Sequence, residues 1–147
     1  MQQDSFYLNH RFMGKYFTVA EMMRSDTAAR KGIDNKIPKE YLDNVLQLIE
    51  KVLDPLREAY GKPIIVTSGY RCPALNKAVG GSATSDHMKG CAADIHGTPN
   101  TKAENKRLFY LAQSIGIEWK QLIEEKNFSW IHISYDENDI RKQVLAM

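Results

Sequence analysis

From Leu42, apolar residues recur at spacings of three and four through Val45, Leu46, Ile49, Val52, Leu53 and Leu56. That period is one face of an amphipathic helix, which should end at Gly61, with Pro55 bending its last turn. The period then changes. Ile64-Ile-Val-Thr67 is β-branched and bounded by Pro63 and Gly69, so it reads as a strand. Pro73 opens a short helix that stops at Gly80-Gly81, and after a polar loop Ala92-Ala-Asp-Ile95 fits a short strand. Leu108, Leu111 and Ile115 line the inner side of a further helix with Gly116 beyond its end. Two more strands are predicted, roughly Trp119 to Glu124 and Ser129 to Tyr135, joined by a tight Lys126-Asn127 connection.

Helix starts carry their own signals. Thr18-Val-Ala-Glu21 and Thr101-Lys-Ala-Glu104 are capping boxes, in which hydroxyl and carboxylate each satisfy a backbone N–H. The first predicts a short helix to about Ser25, and Pro38 suits the first position of the long helix. Residues 1–17 hold Phe6, Tyr7, Phe12, Tyr16 and Phe17 and read as a packed N-terminal arm. Helices come mostly first and short strands cluster later, which favours an α+β fold over a wound parallel sheet. A length of 147 residues fits one domain, 1–147, that folds without needing a disulfide or a structural metal.

Composition narrows the class. Hydrophobic residues are 43% and charged residues 26%, ordinary globular values. A net charge of +2 with scattered basic residues does not point to nucleic acid. No apolar run approaches a membrane span, and the start, Met1-Gln-Gln-Asp-Ser-Phe6, lacks the features of a secretory signal. Cys72 and Cys91 are too few for a disulfide framework; free buried thiols are the preferred reading, although a bridge between them is conceivable.

The chemistry concentrates in Ser68-Gly-Tyr-Arg-Cys-Pro73, Ser85-Asp-His-Met-Lys-Gly-Cys-Ala-Ala-Asp94 and Trp130-Ile-His132. Two imidazoles, His87 and His132, with the Asp94 carboxylate supply three ligands for one Zn²⁺ and leave a fourth position for water. No His-Glu-x-x-His motif occurs, so the helical zincin arrangement is excluded. Strand alternation puts Trp130, His132 and Ser134 on one face, and Asp94 with Ala92 and His96 on one face of its own strand. A satisfied core histidine and a turn aspartate remain the alternative at this point. A cysteine peptidase pairing Cys91 with His87 is also possible on paper, but it takes away the best-placed metal ligand.

Ser85-x-His87-x-x-Gly90-x-Ala92-x-Asp94, with Ser68-Gly-Tyr-Arg71 upstream and Trp130-x-His132 downstream, resembles the zinc D-alanyl-D-alanine carboxypeptidase family of cell-wall metallopeptidases, peptidase family fifteen. Gly32-Ile-Asp-Asn35, Pro38 and Arg141-Lys-Gln-Val-Leu145 are similar to the branch that includes phage and prophage wall hydrolases. The resemblance implies a small antiparallel sheet carrying a zinc site and flanked by helices, as in D,D-peptidases and hedgehog-like domains. It implies zinc on His87, Asp94 and His132, and hydrolysis of peptidoglycan stem peptides by a monomer. Either a terminal D-alanine is removed or a bond inside the stem, of the L-alanyl-D-glutamate type, is cut. Action at the bacterial wall then requires export or lysis.

It also implies that Arg71 contacts substrate through a carboxylate or a developing oxyanion. Some relatives carry Glu three residues before the last histidine, where this chain has Ser129; the segment Gln121-Leu-Ile-Glu-Glu125 points instead to Glu125 as general base, with Glu124 as fallback. Ser85 is expected to support the loop, not to act as a nucleophile. Tyr70, His96 and Trp130 are candidate substrate or supporting contacts. The competing expectation is a module of the same fold that grips wall peptides without cutting them.

Overall fold

In the computed structural model residues 13–147 are described, so most of the predicted N-terminal arm, including Phe6, Tyr7 and Phe12, lies outside them. Phe17, at its end, is buried in the core, and Tyr16 packs against it.

Helix α1 (Val19–Met23) starts at the predicted capping box, with Thr18 Oγ1 accepting from Glu21 N and Glu21 Oε1 accepting from Thr18 N. A second helix, α2 (Asp26–Lys31), was not predicted. Ser25 caps its start, and Gly32, at φ +66°, ends it in the left-handed conformation that glycine adopts without a Cβ penalty. The long apolar face becomes α3 (Lys39–Leu48), a π-helical turn (Ile49–Leu53) and α4 (Asp54–Tyr60), with Gly61 as its C-cap. That wide turn lies just before Pro55, where the sequence predicts a bend. Proline has no N–H to donate, and its ring would press on the carbonyl four residues back; the wider turn makes room for it.

Five strands follow: β1 (Ile65–Ser68), β2 (Ala92–His96), β3 (Gln121–Glu125), β4 (Trp130–Ser134) and β5 (Gln143–Ala146). They form one sheet in the order β1-β2-β4-β3-β5. The α+β class stands, but the sheet is mixed and not antiparallel throughout, because β5 runs parallel to β3. Sequence pattern missed β5: its burial alternates only between half-buried and exposed, as an edge strand permits, so it lacks a strong apolar signal. Between the strands lie α5 (Pro73–Ala78), a 3-10 turn (Asp86–Lys89) and α6 (Lys102–Ser114).

Alternation divides the sheet. Val66, Ala93, Ile95, Leu122, Ile131 and Ile133 point into the core against Leu48, Val52, Leu53, Leu56, Leu108 and Phe109 of the helices. Each fully buried Leu or Ile stabilises the fold by about 1.5–3 kcal/mol, so this face fixes which residues of β2 and β4 must point the other way. The other face carries Asp94 and His132, which are paired in the β2–β4 register.

The β3–β4 connection is longer than predicted. Lys126, Asn127 and Phe128 all have positive φ, at 48°, 57° and 62°. Such backbone costs about 1–2 kcal/mol per non-glycine residue. The turn offsets this with hydrogen bonds: Ser129 N donates to Glu125 O, Phe128 N to Glu124 Oε2, and Ser129 Oγ to Lys126 O. Asn105 Nδ2 adds contacts to the carbonyls of Phe128 and Ser129.

Candidate metal centre

Three elements deliver three donor atoms. Asp94 comes from β2 and His132 from β4, directly opposite each other. His87 comes from the 3-10 turn, whose start is capped by Ser85 Oγ accepting from His87 N. Gly90 closes the turn at φ +75°, and a Cβ there would stand 2.6 Å from Val45 Cγ2. One ligand atom from each of His87, Asp94 and His132 lies within 4.8 Å of the others.

The separations suit a metal ion. Asp94 Oδ1 is 3.2 Å from His87 Nε2 and 3.1 Å from His132 Nδ1. Donors bound at about 2.0–2.1 Å in a tetrahedron stand about 3.3 Å apart, close to both distances. Proton bookkeeping points the same way. His87 Nδ1 is 2.7 Å from the Gly69 carbonyl, which can only accept, so that nitrogen carries the hydrogen. In neutral His87 the Nε2 lone pair then faces a carboxylate oxygen, an arrangement that calls for a cation between them.

Asp94 is 8% exposed, and burial alone would raise its pKa. Its contacts with the His132 and His87 rings overcome that and hold the carboxyl well below the usual carboxylate range. Its other oxygen, Oδ2, accepts from Arg71 Nη2 at 3.1 Å. Arg71 also donates from Nε to Ser68 Oγ at 2.9 Å and from Nη1 to Asn76 Oδ1 at 3.2 Å. Three of its five N–H groups are thereby held by the chain, and two remain.

The predicted site residues fall into three groups. His87, Asp94, His132 and Arg71 come together, with Ser85 supporting the turn. Glu125 pairs in register with Trp130, on the same sheet face as His132, whereas Glu124 pairs with Ile131 on the core face. Continuing the β2–β4 register brings His96 opposite Trp130, so these two and Glu125 form a row beside the Asp94–His132 row. Lys126 Nζ lies 5.9 Å from the Trp130 ring centroid, and His96 Nδ1 is 2.8 Å from Gly97 O. Tyr70 is apart from them: it is 3% exposed and packs in the core, with its hydroxyl pKa pushed up to about 12 by burial. Of the substrate or supporting contact expected of Tyr70, burial in the core fits the supporting one.

Sequence reasoning missed the supports. Ser68 reaches Arg71 because the β1–β2 register shifts between Val66 and Ser68, setting Ser68 opposite Asp94. Asn76 is a buried polar residue on α5, and its Nδ2 also holds the Ser82 carbonyl. Asn35 joins Met23 O, Tyr70 O and Cys72 N. Ser68 and Asn35 lie inside motifs that carry the resemblance, but only the fold shows what they hold, and no motif singles out Asn76.

A family model described as Peptidase M15 matches residues 15–134. The chain belongs to this family of zinc-dependent metallopeptidases. The match spans every element that delivers a donor atom, from the 3-10 turn through β2 to β4. No curated protein matches the chain. Among the described residues, no helix is long and apolar enough to cross a membrane.

Proposed function

We propose that the chain is a zinc-dependent peptidase that hydrolyses a peptide bond in the stem peptide of peptidoglycan, with His87, Asp94 and His132 as the metal ligands. The observation that carries this reading is the convergence of one ligand atom from each of His87, Asp94 and His132 inside 4.8 Å, with the His87 Nε2 lone pair turned toward Asp94 Oδ1. Three protein donors leave a position open, as catalytic zinc sites do. Zinc bound there supplies a water with a pKa near about 7 and polarises the scissile carbonyl.

The remaining work falls to side chains. Glu125, on the same sheet face as His132, takes a proton from the attacking water at its carboxylate and returns it to the leaving nitrogen. Arg71 holds Asp94 in place with one N–H and offers its two uncommitted N–H groups to a substrate carboxylate or to the developing oxyanion. Trp130 and His96 flank this row and form one wall for the peptide. No covalent intermediate is required.

Incubating purified peptidoglycan with the protein, with and without a chelator, tests the reading. Free D-alanine is the expected product if the terminal bond is cut, and new amino termini if an internal bond is. Release of neither, by protein carrying one zinc per chain, would leave a module that binds wall peptides without cutting them.

A further inference from the structure

The turn that carries His87 is tied to the sheet by an ion pair outside the ligand set. Asp86 precedes His87, and its Oδ1 and Oδ2 lie 3.1 Å and 3.0 Å from Lys120 Nζ. The side chains of Lys120 and Asp86 are only 17% and 9% exposed. Lys120 stands just before β3, where its N–H donates to Ser134 O and its carbonyl accepts from Gln143 N. Its backbone is thus pinned between β4 and β5. Asp139 adds a second carboxylate 3.9 Å from the ammonium, and Arg141 pairs with Asp139 in turn.

Exposed ion pairs stabilise little, because water screens them and their side chains are mobile. This pair is largely desolvated, so removing one partner leaves the other charged and buried. A four-residue 3-10 turn has little rigidity of its own. Asp86 also gives its backbone carbonyl to Cys91 N, so the same residue fixes both the start of the turn and the entry to β2.

We propose that Lys120 is a positioning residue for the metal centre: through Asp86 it fixes the turn that aims His87 Nε2 at Asp94. The proposal rests on His87 being a zinc ligand, as in the function proposed above. Lys120 touches neither metal nor substrate. It sets how well the third donor is preorganised, and supporting partners of this kind change metal affinity by about 10–100-fold.

Zinc dissociation constants, measured by chelator competition on the full chain, test it. Lys120→Met and Asp86→Asn are expected to weaken zinc binding by about tenfold to a hundredfold at unchanged one-to-one stoichiometry. Lys120→Arg, which keeps the charge, is expected to recover most of that loss. A purely structural lysine would lower the melting temperature of the metal-free chain and leave the affinity of the folded protein as it was. If Lys120→Met does not fold, Asp86→Asn decides, because its carboxamide fills the same volume. Wild-type affinity in the folded variants overturns the proposal. A wild-type chain that takes up no zinc overturns the ligand assignment itself, and the wild-type titration alone reveals that outcome.

Discussion

Asp94 and His132 stand directly opposite one another on β2 and β4, with Asp94 Oδ1 3.1 Å from His132 Nδ1. Opposed residues of an antiparallel pair share a face with Cβ atoms about 4.5–5.5 Å apart, so sheet register alone brings two of the three donors together. The third comes from a turn whose position depends on Ser85, Gly90 and Asp86.

This division gives a first prediction. His132→Ala and His87→Ala each leave two protein donors, and both should abolish stoichiometric zinc binding at neutral pH. Metal analysis of the purified variants checks it. Full zinc occupancy in either one would remove that histidine from the ligand set.

Glu125 and Glu124 separate in the same way. Glu125 shares the face of His132, whereas Glu124 lies on the core face and accepts from Phe128 N at 2.8 Å. Glu125→Gln should keep zinc and lose about a hundredfold to ten-thousandfold in turnover of peptidoglycan, the usual contribution of a general base. Glu124→Gln keeps an acceptor for Phe128 N and should stay within a fewfold of wild-type turnover. The opposite ranking in kcat would transfer the base to Glu124.

The turn also tolerates little change at Gly90. Its φ of +75° is unfavourable for any side chain, and an added Cβ would come within 2.6 Å of Val45 Cγ2 and 3.2 Å of the Tyr41 carbonyl. Gly90→Ala should therefore lose about 2–4 kcal/mol, the left-handed backbone penalty plus the cost of crowding the core. Urea unfolding of the metal-free protein measures this. A loss below about 0.5 kcal/mol would mean that the turn relaxes without strain.

Much of this arrangement was legible in the sequence because it rests on local periodicity. The capping box at Thr18, the apolar face from Leu42 to Leu56 and the two-residue alternation around Asp94 and His132 sit where the pattern placed them, whereas at Thr101 only the hydroxyl cap forms, because Glu104 turns its carboxylate to Tyr60 and Lys62. What escaped notice depends on contacts far apart in the chain. Strand β5 is defined by its pairing with β3, and Asn76, Asp86 and Lys120 acquire roles only once the fold brings their partners to them. Tyr70 shows the reverse relation. It lies inside a motif, yet its ring is needed by the core.

The cysteines allow a last prediction, which also bears on the chemistry. Both are free; Cys91 is 3% exposed, whereas Cys72 is half-buried, with its sulfur accepting from Leu75 N at 3.4 Å at the start of α5. Burial, and then the charges of Asp136 and Asp86, push the Cys91 thiol pKa up to about 11. At pH 8 only about a thousandth of such a thiol is thiolate, and the reactive form grows about tenfold for each pH unit up to that value. Iodoacetamide at pH 8 should therefore label Cys72 first and reach Cys91 only after unfolding, as peptide mass spectrometry would read out. Labelling of both at equal rates in the native protein would contradict the burial of Cys91. A cysteine nucleophile paired with His87 would need a depressed thiol pKa and an open approach. Cys91 has the reverse of both, which argues against a thiol nucleophile paired with His87.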